Sequence, residues 1–200
     1  LAELRNFHSP IVVIDQRWPG LDFDYVGCDN RRGMHDLVAF LIGKGYRRLG
    51  VISFPETSSG AERRQGFLEA MFEHKLPVDA SLLTVADGSF RGAYDAARAL
   101  MERSDRPEVL VCFNDYLARE ALNAAWDLQL RVPEEVAVTG FGNLPLCELV
   151  RPRLTTVEQS PFDTGVAAAR LLLERISSTG NMERRDVIIP TRVIPRNSTR

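Results

Sequence analysis

VLVCFNDYLAREALNAAWDLQLRVPEEVAVTGFGNLPLCELVRPRLTTVEQ, residues 109–159, holds a complete strand-helix-strand unit. Val109 to Phe113 is an unbroken apolar run, the pattern of a strand covered on both faces in a parallel sheet. Asn114-Asp115 ends it with residue types that favour helix starts, and a helix is expected to about Leu128. Arg131-Val132-Pro133-Glu134-Glu135 then turns the chain into a second strand, Val136 to Gly140. In an open parallel sheet, ligands sit outside the carboxyl ends of the strands, where loops and helix N-termini converge. Asn114, Asp115, Gly142 and Asn143 all fall at such ends.

The same alternation extends outward in both directions. Leu1 to Phe7 reads as the end of a helix, Ile11 to Ile14 as a short buried strand ending in Asp15, and Leu21 to Cys28 as an extended segment. Asn30 is expected to cap a helix from Arg31 to Lys44. In that helix Met34, Leu37, Val38, Leu41 and Ile42 share one face, and Gly45 supplies the left-handed stop. Strands at Leu49 to Ser53 and Leu82 to Ala86 alternate with helices at Ala61 to His74 and Phe90 to Arg103. Beyond the opening unit come an extended Leu154 to Val157 and a helix from Pro161 with Val166, Ala169, Leu173 and Ile176 on one face. A polar loop from Ser177 to Arg185 and strands at Val187 to Ile189 and Arg192 to Ile194 complete the chain. Regular alternation with short loops implies an α/β fold, a parallel sheet with helices on both faces.

Composition narrows the function. The 200 residues carry a formal net charge of -2, which argues against a surface built to neutralise nucleic-acid phosphates. Any DNA-contacting part is therefore expected outside these residues. Cys28, Cys112 and Cys147 have no metal or disulfide spacing and point to reduced thiols in a cytoplasmic protein. No apolar run is long enough to span a membrane.

Catalytic signals are poor. His8, His35 and His74 stand apart from Cys and from paired acids, so neither a metal site nor catalytic residues are expected. Gly140-Phe141-Gly142 follows a strand, but the third glycine of a dinucleotide loop is missing and Pro145 stands where its helix should start, so no nucleotide cofactor is expected. Phosphate-loop and nucleophile-elbow patterns are absent from the sequence. Binding fits better than catalysis.

These spaced motifs resemble the effector-binding core of lactose-repressor and galactose-repressor (LacI/GalR) type bacterial transcription regulators. That pattern reads strand, N-D, helix, G-L-x-V-P, strand, G-F/Y-D-D, then P-L-T-T-V/I-x-Q, and the likeness runs over essentially the whole chain. It implies a periplasmic-binding-protein-like type I fold: two doubly wound parallel-sheet lobes with a ligand cleft, the N-terminal lobe incomplete in this chain. The expected divisions are 1–28 for the end of the N-terminal lobe, 29–158 for the C-terminal lobe, 159–188 for the return and 189–200 for the closing strand. The resemblance further implies a regulator that binds a small-molecule effector, forms a homodimer and reaches operator DNA through a headpiece outside this chain. An exported solute-binding protein on the same fold is the alternative from another class.

Candidate binding residues follow by position. Arg63, in Ala61-Glu62-Arg63-Arg64-Gln65-Gly66-Phe67, matches the family's R-x-x-G-F element, whose arginine reaches the effector; its other reading is a solvated residue in the first helical turn. Asp15 and Asn114 match positions lining the cleft from opposite lobes, although Asn114 and Asp115 also suit helix capping. Gln159 can serve the hinge or the cleft. Gly142 stands where the family carries an acid and Gly88 where it often stacks an aromatic, so a differently shaped ligand is expected, with Phe90 or Trp18 as replacement ring. For the dimer interface the resemblance implies the helix Leu117 to Trp126, with its small face Ala118, Ala121 and Ala125, together with Leu144 to Val150, including Leu146 and Val150. That second segment can equally be core.

Overall fold

Residues 9–18, 20–55, 57–178 and 183–200 are described by a computed structural model. The helix end expected over Leu1 to Phe7, together with His8, lies outside them.

Two parallel sheets organise the chain. The first has the order β1-β2-β8, with β1 at Val12–Ile14, β2 at Asp24–Cys28 and β8 at Asp186–Ile189. Helix α6, Pro161–Ser177, packs on it. Of the apolar face expected on α6, Leu173 and Ile176 are exposed; Leu171 is the buried residue of this helix. The second sheet has the order β4-β3-β5-β6: β3 at Leu49–Ser53, β4 at Leu83–Val85, β5 at Val109–Cys112 and β6 at Ala137–Thr139. Its helices are α1 (Asn30–Gly43), α2 (Ser58–Glu73), α3 (Phe90–Met101) and α4 (Asp115–Asp127).

From β3 the chain steps out to β4, then returns past β3 to β5 and β6. Right-handed crossovers therefore place α2 on one face and α3 and α4 on the other. The packing agrees, with α1 against α2 and α3 against α4. The reversal falls between β3 and β5, where a doubly wound sheet opens its crevice.

A third, antiparallel pair joins β7 (Thr156–Glu158) to β9 (Arg192–Ile194). Bridges Thr139↔Thr155 and Gly142↔Glu158 attach this pair beside β6. The chain passes between the two sheets after β2, after β7 and between β8 and β9.

Local sequence accounts for most element ends, with three corrections. Asp29, not Asn30, caps α1 by accepting from Arg32 N at 2.9 Å, which frees Asn30 to turn inward. Thr57 caps α2 by accepting from Gly60 N, so this helix starts at Ser58 and Arg63 lies in its second turn rather than its first. Asn114 caps α4 by accepting from Leu117 N at 2.8 Å, and Asp115 is buried instead. Gly45, at φ +95°, is the left-handed stop after α1. Part of the segment expected as loop after Asn143 forms a single turn, α5 (Leu146–Leu149).

The expected dimer face of α4 is also corrected. Leu117, Ala118 and Ala121 are buried in the chain's own core, because small side chains let α4 sit close on β5 and β6. The helical period then turns Tyr116, Asn123 and Trp126 outward, Trp126 with 82% of its surface exposed. Cys28, Cys112 and Cys147 are buried free thiols. Among the described residues no helix is long and apolar enough to cross a membrane.

Candidate functional site

Arg63 sits at the reversal point of the second sheet. Gly66, one turn further on, explains how α2 gets there: a Cβ at Gly66 would stand 2.1 Å from the Arg31 carbonyl oxygen of α1, so only glycine allows the two helices this close. The Arg63 side chain is only 4% exposed. Its Nε donates to Asn30 Oδ1 at 2.8 Å, its Nη1 donates to the Phe113 carbonyl at the end of β5, and its plane lies 4.0 Å over the Phe141 ring. Burial pushes its pKa down, opposed by the negative groups of Asp15, Asp115 and Glu62, and the guanidinium stays charged. Among the described residues Nη2 has no hydrogen-bond partner. Because no buried side-chain nitrogen or oxygen among the described residues is left unpaired, Nη2 keeps some contact with solvent.

Asn30 is the residue that sequence reasoning missed here. Its amide accepts from Arg63 and donates to Glu62 Oε2 at 3.0 Å, which fixes the fork of the guanidinium. The available signal was the Asp29-Asn30 pair: either could cap, and the residue not capping is free for a site.

Beside the first sheet is a 290 Å3 cavity lined by Ile14, Asp15, Gly27, Cys28, Gln159 and Thr164, among others. Asp15 and Gln159 are therefore brought together. Gln159 Nε2 donates to Cys28 Sγ at 3.3 Å, which joins the first and second passages between the sheets, and Gln159 also lines the cavity. Cys28 Sγ in turn contacts Asn30 Oδ1 at 3.4 Å, a chain of contacts from the cavity to Arg63. Burial raises the pKa of the Cys28 thiol, with Gln159 and Arg63 opposing, so it is a packed thiol rather than a nucleophile.

Other expected residues are placed differently. A Cβ at Gly142, whose φ is +139°, would stand 3.4 Å from Gln159 Oε1 and 3.0 Å from Asp115 Oδ2, so a side chain here would be strained and would crowd both neighbours. Asn143 is spent on structure: its amide donates to Glu158 and accepts from Arg196 at 2.7 Å. Asn114 is occupied as the cap of α4, next to the Phe113 carbonyl that Arg63 reaches. Phe90 does not line the cavity: 56% exposed, it packs against Tyr116 at 5.9 Å and under the Arg119 guanidinium at 4.6 Å. Trp18 lines a separate small pocket with Arg17 and Tyr25. Neither ring replaces the stacking aromatic, because α3 and the loop after β1 present them elsewhere. Among the described residues no cluster of His, Cys, Asp and Glu could hold a metal. The site offers a charged donor edge, a carboxylate, amides and hydroxyls around a cavity, a set suited to holding a small polar molecule.

Known proteins share this frame. A family model described as a periplasmic binding protein-like domain matches residues 38–199. The HTH-type transcriptional repressor PurR of Escherichia coli O1:K1 / APEC is 34% identical over 201 residues, covering 99% of this chain and 59% of that protein. The chain thus spans 59% of the length of that curated relative. A regulatory protein of LacI family from Chloroflexus aggregans superposes with a TM-score of 0.87 at 28% identity, over 98% of this chain and 70% of the other. A LacI family transcriptional regulator from Enterococcus faecium, with bound ribose, gives 0.84 at 27% identity, over 95% and 70%. With the family model matched over most of its length, and LacI-type regulators alike in both sequence and fold, this chain belongs to the periplasmic binding protein-like domain family in the form those regulators carry.

Proposed function

We propose that this chain is the effector-sensing core of a cytoplasmic LacI-type transcription regulator, which binds a small molecule between its two sheets and acts on operator DNA as a homodimer through a headpiece outside this chain. The lobes divide at the passages near residues 28–29, 158–160 and 189–191. The observation that carries this reading is Arg63, a buried guanidinium at the reversal point of the sheet whose Nη2 has no hydrogen-bond partner among the described residues. The regulators among its relatives favour it over an exported solute-binding protein, and they are not enzymes. The effector acts by its differential affinity for the open and closed arrangements of the lobes, which sets the change in operator affinity. With glycine at 88 and 142, the ligand meets a wider cleft with backbone at one corner.

A thermal-shift screen of this chain against sugars, sugar phosphates, polyols, purines and small acids tests the proposal. A ligand at a hundred times its dissociation constant stabilises by about 2.7 kcal/mol, enough to raise the midpoint by several degrees. The expected result is a hit that Arg63→Ala abolishes. A well-folded protein with no hit, or a hit indifferent to Arg63→Ala, would overturn the assignment of the cleft.

A further inference from the structure

The segment after β1 reaches from one sheet to the other. Asp15 has φ +62°, and Gln16 N donates to Ile14 O at 2.7 Å across it, a tight turn that a residue with a Cβ rarely adopts. The turn aims Gln16 at the start of α2, on the opposite lobe. There Gln16 Oε1 accepts from Ser58 Oγ at 3.0 Å and Nε2 donates to Ser59 Oγ at 2.5 Å. Arg17 N donates to Ser58 Oγ at 2.7 Å, and the Arg17 guanidinium stands 3.8 Å from Glu62 on α2. The same guanidinium pairs with Asp186 of β8 at 2.8 Å and lies 3.7 Å over Tyr25 of β2. One short strap is thus anchored on the first sheet and hydrogen-bonded to the second.

We propose that Asp15-Gln16-Arg17 is a latch that ties the two lobes to each other. No strand pairing joins β1 to α2, so these polar contacts, together with the passages of the chain, resist opening. The strained turn at Asp15 is what keeps the Gln16 amide in reach of both serines. Its consequence for the effector rests on the function proposed above: a ligand that favours one arrangement of the lobes works with or against these contacts.

The test is a distance measurement between nitroxide labels at His74→Cys, on the far end of α2, and Arg170→Cys on α6. Both positions are exposed and the native thiols are buried. The latch predicts one narrow distribution without ligand, which Gln16→Ala and Ser58→Ala each broaden and lengthen by several ångströms. Gln16→Glu, which keeps the acceptor toward Ser58 and loses the donor toward Ser59, is expected to fall between. Trp18→Ala, outside the contacts, is expected to change nothing. An unchanged distribution in folded Gln16→Ala and Ser58→Ala, or a broad one in the parent, would overturn the latch. The two ideas separate cleanly: a flat ligand screen with an intact latch removes the function proposed, and an Arg63-dependent ligand with unlatched distances removes only the latch.

Discussion

Gly140 is a glycine because of Asp115. Its buried carboxylate accepts from Leu144 N at 2.8 Å and from Thr156 Oγ1 at 2.6 Å, tying the start of α4 to the loop after β6 and to β7. A Cβ at Gly140 would stand 2.3 Å from Asp115 Oδ1. Asp115→Ala is expected to cost about 2–4 kcal/mol in urea unfolding, since it strands two donors of charge-assisted bonds. Thr156→Ala is expected to cost about 1 kcal/mol. A loss below about 0.5 kcal/mol for Asp115→Ala would show that the clamp contributes nothing. Sequence reasoning saw that Asn114 and Asp115 both suit capping but not that Asp115 is spent elsewhere, and it placed the cap of α1 on Asn30 rather than Asp29. Both members of each pair can cap, and the choice depends on which side chain has a tertiary partner, a fact absent from local pattern. Arg63 was legible because Gly66 and Phe67 fix its place; Gln16 was not, because its partners lie more than forty positions away.

At the scale of elements, hydrophobic period and punctuation were sufficient for every strand and for the four helices of the second sheet. They erred on faces. The small side chains of α4 suit a dimer contact and an intimate helix-sheet contact equally, and only the position of β5 and β6 decides between them. In α6 the apolar stripe is real but unburied here, and the helix is tied to its sheet by an ion pair instead. Arg175 on α6 reaches Asp24 of β2 at 2.5 and 2.6 Å, and Asp24 also accepts from Arg185 N at 2.8 Å. Burial pushes the Asp24 carboxyl up, but the bonds from Arg175 and Arg185 outweigh it and hold its pKa below the ordinary 3.8. A lowered folded value means stability present above 3.8 and lost as pH falls through the lower folded value. Asp24→Asn is therefore expected to lower the urea midpoint at neutral pH by the equivalent of about 1–3 kcal/mol, and to converge with the parent in strong acid. Equal midpoints at neutral pH would show that α6 is held by packing alone.

Two groups of exposed large apolar side chains bear on association. One surrounds the first sheet, with Ile14, Phe162, Leu173, Ile176 and Ile188 exposed; the other follows α4 and α5, with Phe90, Tyr116, Trp126 and Leu149 exposed. Contiguous apolar surface of this kind marks contact sites. The first face surrounds the lobe read from sequence as incomplete, and its proposed cover is the remainder of that lobe. The second combines Leu146 and Val150 of the original expectation with the outward row of α4, and it is the proposed dimer surface. The two assignments make opposite predictions for association. In sedimentation velocity at tens of micromolar, Leu149→Asp combined with Tyr116→Glu is expected to convert dimer to monomer, because two charges would have to be desolvated in each copy of a two-fold interface. Leu173→Asp combined with Ile176→Asp is expected to leave the dimer intact. If the second pair dissolves the association and the first does not, the copies meet through the α6 face, and the dimer proposed through α4 and α5 is wrong.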